Sequence, residues 1–568
     1  MAKSKPKSVA AKKKKTTKKK TSSKKAAKKK QAKKKVPTGP TELELWLHAP
    51  GMDSLLRAGV GGLASVLESL ESQNPRRVKL PGAPWKNKQP PWEITTDRIV
   101  LKFDKPENAE EYLKRIFDYA FQVKQGESAI DLPSTHSGDQ TKLVRAQLQR
   151  GLMLTFLQHG QSRKGAKADE DRTAQIDDKQ ISYSIRPLTS YKHQLGYQDL
   201  VEKDGTLKTK SLDIPGTLFP GAAVRHNKFG NTKHEGSPAE LLAAYFALIG
   251  TIALPINRGS AVLLVPEVQD LLSFGYGRMQ ITPKTYRDCL IGGVGDAVLG
   301  VHTRLRGHEI KRRLEVPAVS AFLFRPTAWA SQQKSRVAAI RIEPLDPGSD
   351  AIFRYAVEHF RPRMKSRMVK VGKGKKAKEK EESFWSISMV KPLIADNLAN
   401  GKPWFHDFAN FFIRNDPATG KPLRSRLFFE KEGLSNMVNS DVWDDKGQKA
   451  LVAGVHYALF CQFGRISAEF GSNKGGMQNK FQKEFEKWRI QFVSSKTADQ
   501  FRFAVCDLMS RARGNKEIQE NWQQVLPLLS DSSWQHGRDL ALLALASYKG
   551  KGDKEAVDAS VEADSDAA

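Results

Sequence analysis

The segment AELLAAYFALIGTIALPI (239–256) limits the possible folds more than any other stretch of the chain. Gly250 interrupts it and Pro255 stops it, short of the roughly 18 to 20 apolar residues that a membrane span needs. It therefore reads as a core helix over 239–254, buried inside a globular body. A chain of 568 residues has room for two to four domains around such a segment. With 39% hydrophobic and 27% charged residues, most of it is expected to be globular. The three cysteines, Cys289, Cys461 and Cys506, show no paired spacing. That argues against a disulfide scaffold or zinc ribbon and points to a reducing cytoplasm.

Charge is the second constraint. The net charge is +32, and residues 1–35 contribute 18 lysines and no acid, which leaves an excess of 14 on the remainder. The lysine-rich opening cannot bury enough surface to fold and reads as a disordered tail over 1–38, with no apolar core of a secretory signal. A body this basic attracts polyanions, because phosphates that meet Lys and Arg release their condensed counterions. No amphipathic anchor accompanies the charge, so nucleic acid is favoured over a membrane surface.

Periodicity gives a coarse architecture. Leu43, Leu45 and Leu47 alternate as in a strand, and 52–72 reads as a helix. Gly59, Gly61 and Gly62 in that helix fit neither the Walker nor the dinucleotide pattern, and close packing on a neighbouring helix accounts for them better. WEITTDRIVLKF reads as a pair of strands, and the helix around 108–123 has Tyr112, Ile116, Tyr119 and Ala120 on one face. Residues 141–159 read as a further helix, and SAFLFRP and VAAIRIEPL as strands. Residues 39–434 are thus expected to form a mixed α+β domain, interrupted at 361–383 by a mobile basic loop. From Ser435 the pattern becomes helical, with about five helices to residue 549 and an acidic, disordered tail over 550–568. TADQ (497–500) has the form of a capping box. Phe481, Phe485, Trp488 and Phe492 line one face of a bundle helix, and Lys480, Lys483 and Lys487 another.

Tests for catalytic chemistry fail. The doublet His406-Asp407 lacks the further ligands a dinuclear phosphohydrolase site needs, so it reads as a packed, hydrogen-bonded pair. His226, Asn227 and His234 invite a nuclease reading, but Glu235 is the nearby acid and no cysteine supports a metal. GxSxG is absent. Neither a metal nor another cofactor is expected.

Recognition fits better. In FPGAAVRHNKFGNTKHEGSP (219–238), Arg225, His226, Asn227, Lys228, Asn231 and Lys233 offer groups for base edges and phosphates, and the alternative is a polar surface loop. Gln332, Gln333 and Lys334 carry similar donors and could equally be a turn. Lys370, Lys373, Lys375 and Lys376 in the basic loop, with Lys480, Lys483 and Lys487 in the bundle, are candidates for phosphate contacts.

Three segments in this order, LWLHAPGMDSLLRAGVGGLASVL, FPGAAVRHNKFGN followed by SPAELLAAYFALIGTIALP, and the terminal bundle, resemble one family. It is the large subunit (Cas eight, Myxan-type) of type I CRISPR Cascade complexes, of the subtype B kind or close to it. The resemblance covers roughly residues 40–549. It implies a non-enzymatic subunit that recognises the PAM (the short motif flanking the target) in duplex DNA, helps open the strands and stabilises the R-loop. The implied partners are crRNA, target DNA, and the backbone, handle-binding, crRNA-processing and small subunits. A helicase-nuclease effector or transposition proteins would act downstream. The resemblance also implies that the bundle can be made separately as a small subunit, with Met437 as a candidate internal start. The competing readings are a metal-dependent nuclease, HNH- or HD-like, and a basic DNA-compacting protein dominated by its tail.

Overall fold

The computed structural model describes residues 38–72, 90–176, 179–221, 234–256, 259–306, 316–329, 332–371, 378–416, 420–471, 473–512 and 514–550. Its N-terminal region is α+β and its C-terminal region is a helical bundle.

The apolar segment organises the N-terminal core. Ser237 and Glu240 form a capping box at the start of helix Pro238–Gly250, and Pro238 occupies its first turn. Every residue from Leu241 to Gly250 is buried. The helix ends at Gly250 and does not reach 254; Ile252–Pro255 is a strand. Thr251 and Ile252 are β-branched, and Ile252 pairs with Leu264 in a neighbouring strand, so sheet pairing displaces the last turn. This helix lies against Ser54–Ser72, where the glycines act as the sequence suggests. A Cβ on Gly59 would stand 2.0 Å from the Ala243 carbonyl oxygen, and one on Gly250 would stand 1.7 Å from that of Ala58. Helix Ala109–Ala120 buries Tyr112, Ile116 and Ala120, with Leu113 and Phe117 beside them.

Two four-stranded sheets flank this core. The first runs Ile252–Pro255, Ala261–Pro266, Val319–Trp329, Gln332–Ile342, antiparallel throughout. Ala261–Pro266 is buried along its whole length, as expected of a strand covered on both faces. The second sheet orders Arg363–Val371, Lys378–Ser386, Lys179–Ile185 and Glu170–Ile176. A smaller sheet joins Glu42–Trp46, Arg98–Lys102 and Trp92–Ile94, and buries Leu43, Leu45 and Leu47 as their alternation requires.

The region expected to be a basic loop, 361–383, is a β-hairpin: Arg363–Val371 pairs antiparallel with Lys378–Ser386. In the register Arg367 pairs with Glu382 and Lys370 with Glu379. The returning strand then joins Lys179–Ile185 through Ser383 and Ile181.

Among the described residues every helix or strand after Ser386 is helical, so the helical part begins at Val390, well before Ser435. The expected boundary at 434/435 falls inside helix Lys431–Val438. The bundle proper comprises Lys446–Phe470, Lys474–Ser494, Ala498–Ser510, Lys516–Val525 and Trp534–Ser547. Thr497 accepts from the Gln500 amide at 3.3 Å, and the Gln500 side chain reaches back to the amide of Lys496. Trp488 and Phe492 are fully buried, and the Phe481 ring lies 4.6 Å from that of Phe463. All three cysteines are free thiols. Among the described residues no helix is long and apolar enough to cross a membrane.

Candidate nucleic-acid interface

Arg225, His226, Asn227, Lys228, Asn231 and Lys233 all lie outside the described residues. The ends of their segment are pinned. The Gly221 amide donates to the Thr155 carbonyl at 3.0 Å, and the His234 carbonyl accepts from the Ile214 amide at 2.8 Å. The rings of Phe219 and His234 meet at 5.4 Å, so both ends return to one neck. Gly221 has φ 80°, and a Cβ there would touch the Phe324 ring at 3.0 Å.

Phe324 leads to the second candidate. Val319 to Phe324 pair with Ala261–Pro266, but among the described residues no third strand pairs beyond Phe324. The last five residues of Val319–Trp329 and their partners form a two-stranded arm, extending about 17 Å past the sheet. Gln332, Gln333 and Lys334 pair with Trp329, Ala328 and Thr327 at its tip. They are strand residues, not a turn, because the ladder continues to the end of the hairpin. Arg325 pairs with Arg336 in the same arm. The root of the first candidate segment thus sits at the base of the arm that carries the second.

The other candidates are spread more widely. Lys370 is in a strand of the basic hairpin, while Lys373, Lys375 and Lys376 lie outside the described residues. In the bundle, Lys480 and Lys483 are exposed, and Lys487 lies over the Trp488 ring at 4.8 Å. Arg511 lies over the same ring at 5.3 Å. Ile490 and Phe503 are also exposed on the bundle surface.

The doublet His406-Asp407 is hydrogen-bonded, but to groups that sequence reasoning missed. His406 Nδ1 lies 3.2 Å from His536 Nε2, and the amides of Asp407 and Ala409 donate to the Asp539 carboxylate at 2.8 and 3.0 Å. Asp407 adopts φ 62° to make this turn. Burial pushes the Asp539 carboxyl up to about 6, while burial and the neighbouring His406 hold His536 below its ordinary value. Ligand atoms of His406, Asp407 and Asp539 lie within 4.8 Å of one another, a spacing that could hold a cation. The carboxylate of Asp539 is already committed to two backbone amides, and Lys402 Nζ stands 3.3 Å from His406 Nε2, which disfavours a metal. The cluster ties the turn at 403–409 to the last bundle helix. Its partners are 130 residues apart in sequence, so no local signal pointed to them.

Two family models match the chain, the DevT N-terminal domain over residues 44–245 and the DevT C-terminal domain over 439–568. With an α+β part followed by a helical bundle, these matches place the chain in the class of CRISPR-associated large subunits. It is 34% identical over 538 residues to the CRISPR-associated protein Cas8a1/Csx13 of Myxococcus xanthus (strain DK1622), covering 91% of this chain and 90% of that protein. The chain belongs to the Myxococcus-type Cas8 family.

Proposed function

We propose that this chain is the non-catalytic large subunit of a crRNA-guided type I Cascade complex, acting in the cytoplasm, where it reads the PAM in duplex DNA and helps open it. One observation carries the reading: the unsupported two-stranded arm ending in Gln332, Gln333 and Lys334, with the 222–233 segment rooted at its base. A two-stranded ribbon fits the major groove of B-DNA, and glutamine pairs bidentately with adenine there. Sequence identity would be read by guide pairing and only the short flanking motif by protein. The stripe Lys480, Lys483 and Lys487 would then follow a displaced single strand, a strongly salt-sensitive contact. Lys370, Lys373, Lys375 and Lys376 would bind flanking duplex phosphates from the basic hairpin.

The partners in this reading are crRNA, the backbone, handle-binding, crRNA-processing and small subunits, and a downstream helicase-nuclease or transposition machinery. The small subunit would be the bundle itself, translated from Met437; the C-terminal family match beginning at 439 supports this. A blot against a C-terminal tag would show a band near a quarter of full length if it is so, and only the full chain if not.

The central test compares PAM-bearing duplex with a pre-opened target. Asn227→Ala and Gln332→Ala/Gln333→Ala should weaken duplex binding much more than binding to the opened target. Equal loss on both would assign these residues to guide contact or structure. A second reading, hydrolysis at a bound metal, has the His406, Asp407 and Asp539 cluster in its favour. Cleavage of DNA by the purified chain with magnesium or manganese, lost on mutating His406, would establish that reading instead.

A further inference from the structure

Away from the arm and the bundle, three arginines converge on one cleft of about 260 Å³. Arg150 comes from helix Lys142–Leu154, Arg163 from the short strand Arg163–Gly165, and Arg186 from the position just after strand Lys179–Ile185. Met153 and Ile185 form an apolar wall. Two of the arginines are held in place. Arg163 Nε donates to the Leu157 carbonyl at 2.8 Å, and Arg186 Nε donates to Asp169 Oδ1 at 2.6 Å. One carboxylate, Asp169, therefore faces three guanidinium groups that line the same space. Burial and the nearby charge of Arg186 both work against the charged form of Arg163. Asp169 offsets part of that charge, on Arg186 and on Arg163, and among the described residues it is the one carboxylate lining the cleft, so positive charge stays in excess next to the apolar wall.

We propose that this cleft binds one phosphorylated nucleoside unit of a nucleic acid, the phosphate on the arginines and the base against Met153 and Ile185. Arginine's planar fork matches phosphate oxygens bidentately, and an apolar wall accepts the face of any base. Asp169, half exposed and bonded to Arg186 through Oδ1, keeps its other oxygen to accept from a sugar hydroxyl or a base amino group. The proposal rests on the nucleic-acid reading above and adds a second contact point to it, separate from the arm. The unit could belong to guide RNA or to DNA, and the experiment separates these sources.

Calorimetric titration of the full chain with ribonucleoside and deoxyribonucleoside 5′-monophosphates is expected to give one saturable site. Adenosine without phosphate, and inorganic phosphate alone, should each bind at least about tenfold more weakly. Preference for the ribonucleotide assigns the pocket to RNA, and preference for the deoxyribonucleotide assigns it to DNA. Arg150 is exposed, so Arg150→Glu should leave the fold intact and weaken the monophosphate about tenfold. Met153→Trp, which fills the wall and keeps every charge, should do the same. No saturable monophosphate binding, or binding unchanged in both variants, overturns the proposal. Duplex binding measured in parallel keeps the two ideas apart: wild-type chain that ignores PAM-bearing duplex strikes the proposed function, while the monophosphate titration alone decides the pocket.

Discussion

Replacing Gly59 with alanine tests the packing that places everything else. In a helix the exchange alone should help, since alanine is favoured over glycine by about 1 kcal/mol. At Gly59 the new Cβ would stand 2.0 Å from the Ala243 carbonyl oxygen and 2.8 Å from its carbon. Both are backbone atoms of a helix buried from Leu241 to Gly250 and cannot swing aside. The two helices must therefore part by roughly 1 Å or more, which forfeits a quarter to a half of the contact energy along the crossing. Overpacking of this kind costs about 1–3 kcal/mol for added methylenes, and a clash with backbone belongs at or above the upper end. Against the propensity gain, Gly59→Ala should destabilise the N-terminal region by about 2–3 kcal/mol. Gly464 is the control: it lies in helix Lys446–Phe470, and nothing stands within 4 Å of a Cβ there. Gly464→Ala should stabilise by about 0.5–1 kcal/mol. Urea unfolding followed by tryptophan fluorescence gives both shifts. If Gly59→Ala is neutral, or moves the midpoint upward as Gly464→Ala does, the close crossing is refuted.

Other outcomes follow from the same structure. The buried Arg278 donates to the carbonyls of Ile249 and Thr251 and to the Thr282 hydroxyl, at 2.5, 2.7 and 2.6 Å. Arg278→Met should cost about 3 kcal/mol or more in urea unfolding, because these buried acceptors lose their donor. Asp539 titrates in the fold near 6, above its ordinary 3.8, so the folded state binds the extra proton and this group's penalty grows as pH rises between those values. Wild type should therefore gain on Asp539→Asn by about 3 kcal/mol as pH falls from 7.5 to below 4, and a stability difference flat with pH would contradict this. Deleting residues 1–35 removes 18 lysines and should lower non-specific DNA affinity and its salt slope while leaving preference for the PAM-bearing duplex. Loss of all DNA affinity would instead favour the compacting-protein reading.

Much of the fold was legible because it depends on short-range chemistry. The alternation of Leu43, Leu45 and Leu47, the face of Tyr112, Ile116 and Ala120, and the Thr497 cap are each decided within a few residues. So is the close-packing role of Gly59, since helix glycines without a phosphate-binding pattern have few other uses. The candidate site was legible only as a list of donors. That Gln332, Gln333 and Lys334 end a ribbon with no third strand among the described residues depends on where strand Ala261–Pro266 stops pairing, some sixty residues upstream.

By itself, then, the sequence determined the basic charge, the buried central helix, the order of an α+β part and a bundle, and the family. Tertiary structure alone decided that 361–383 is a hairpin, because the pairing of Arg363–Val371 with Lys378–Ser386 exists only once the two strands are in register. It alone joined His406 to His536, and brought Arg150, Arg163 and Arg186 to one cleft. The physical reason is common to all three. Local patterns report which surface a residue must bury, but a charged group's meaning depends on the charges folding sets beside it, and those come from elsewhere in the chain.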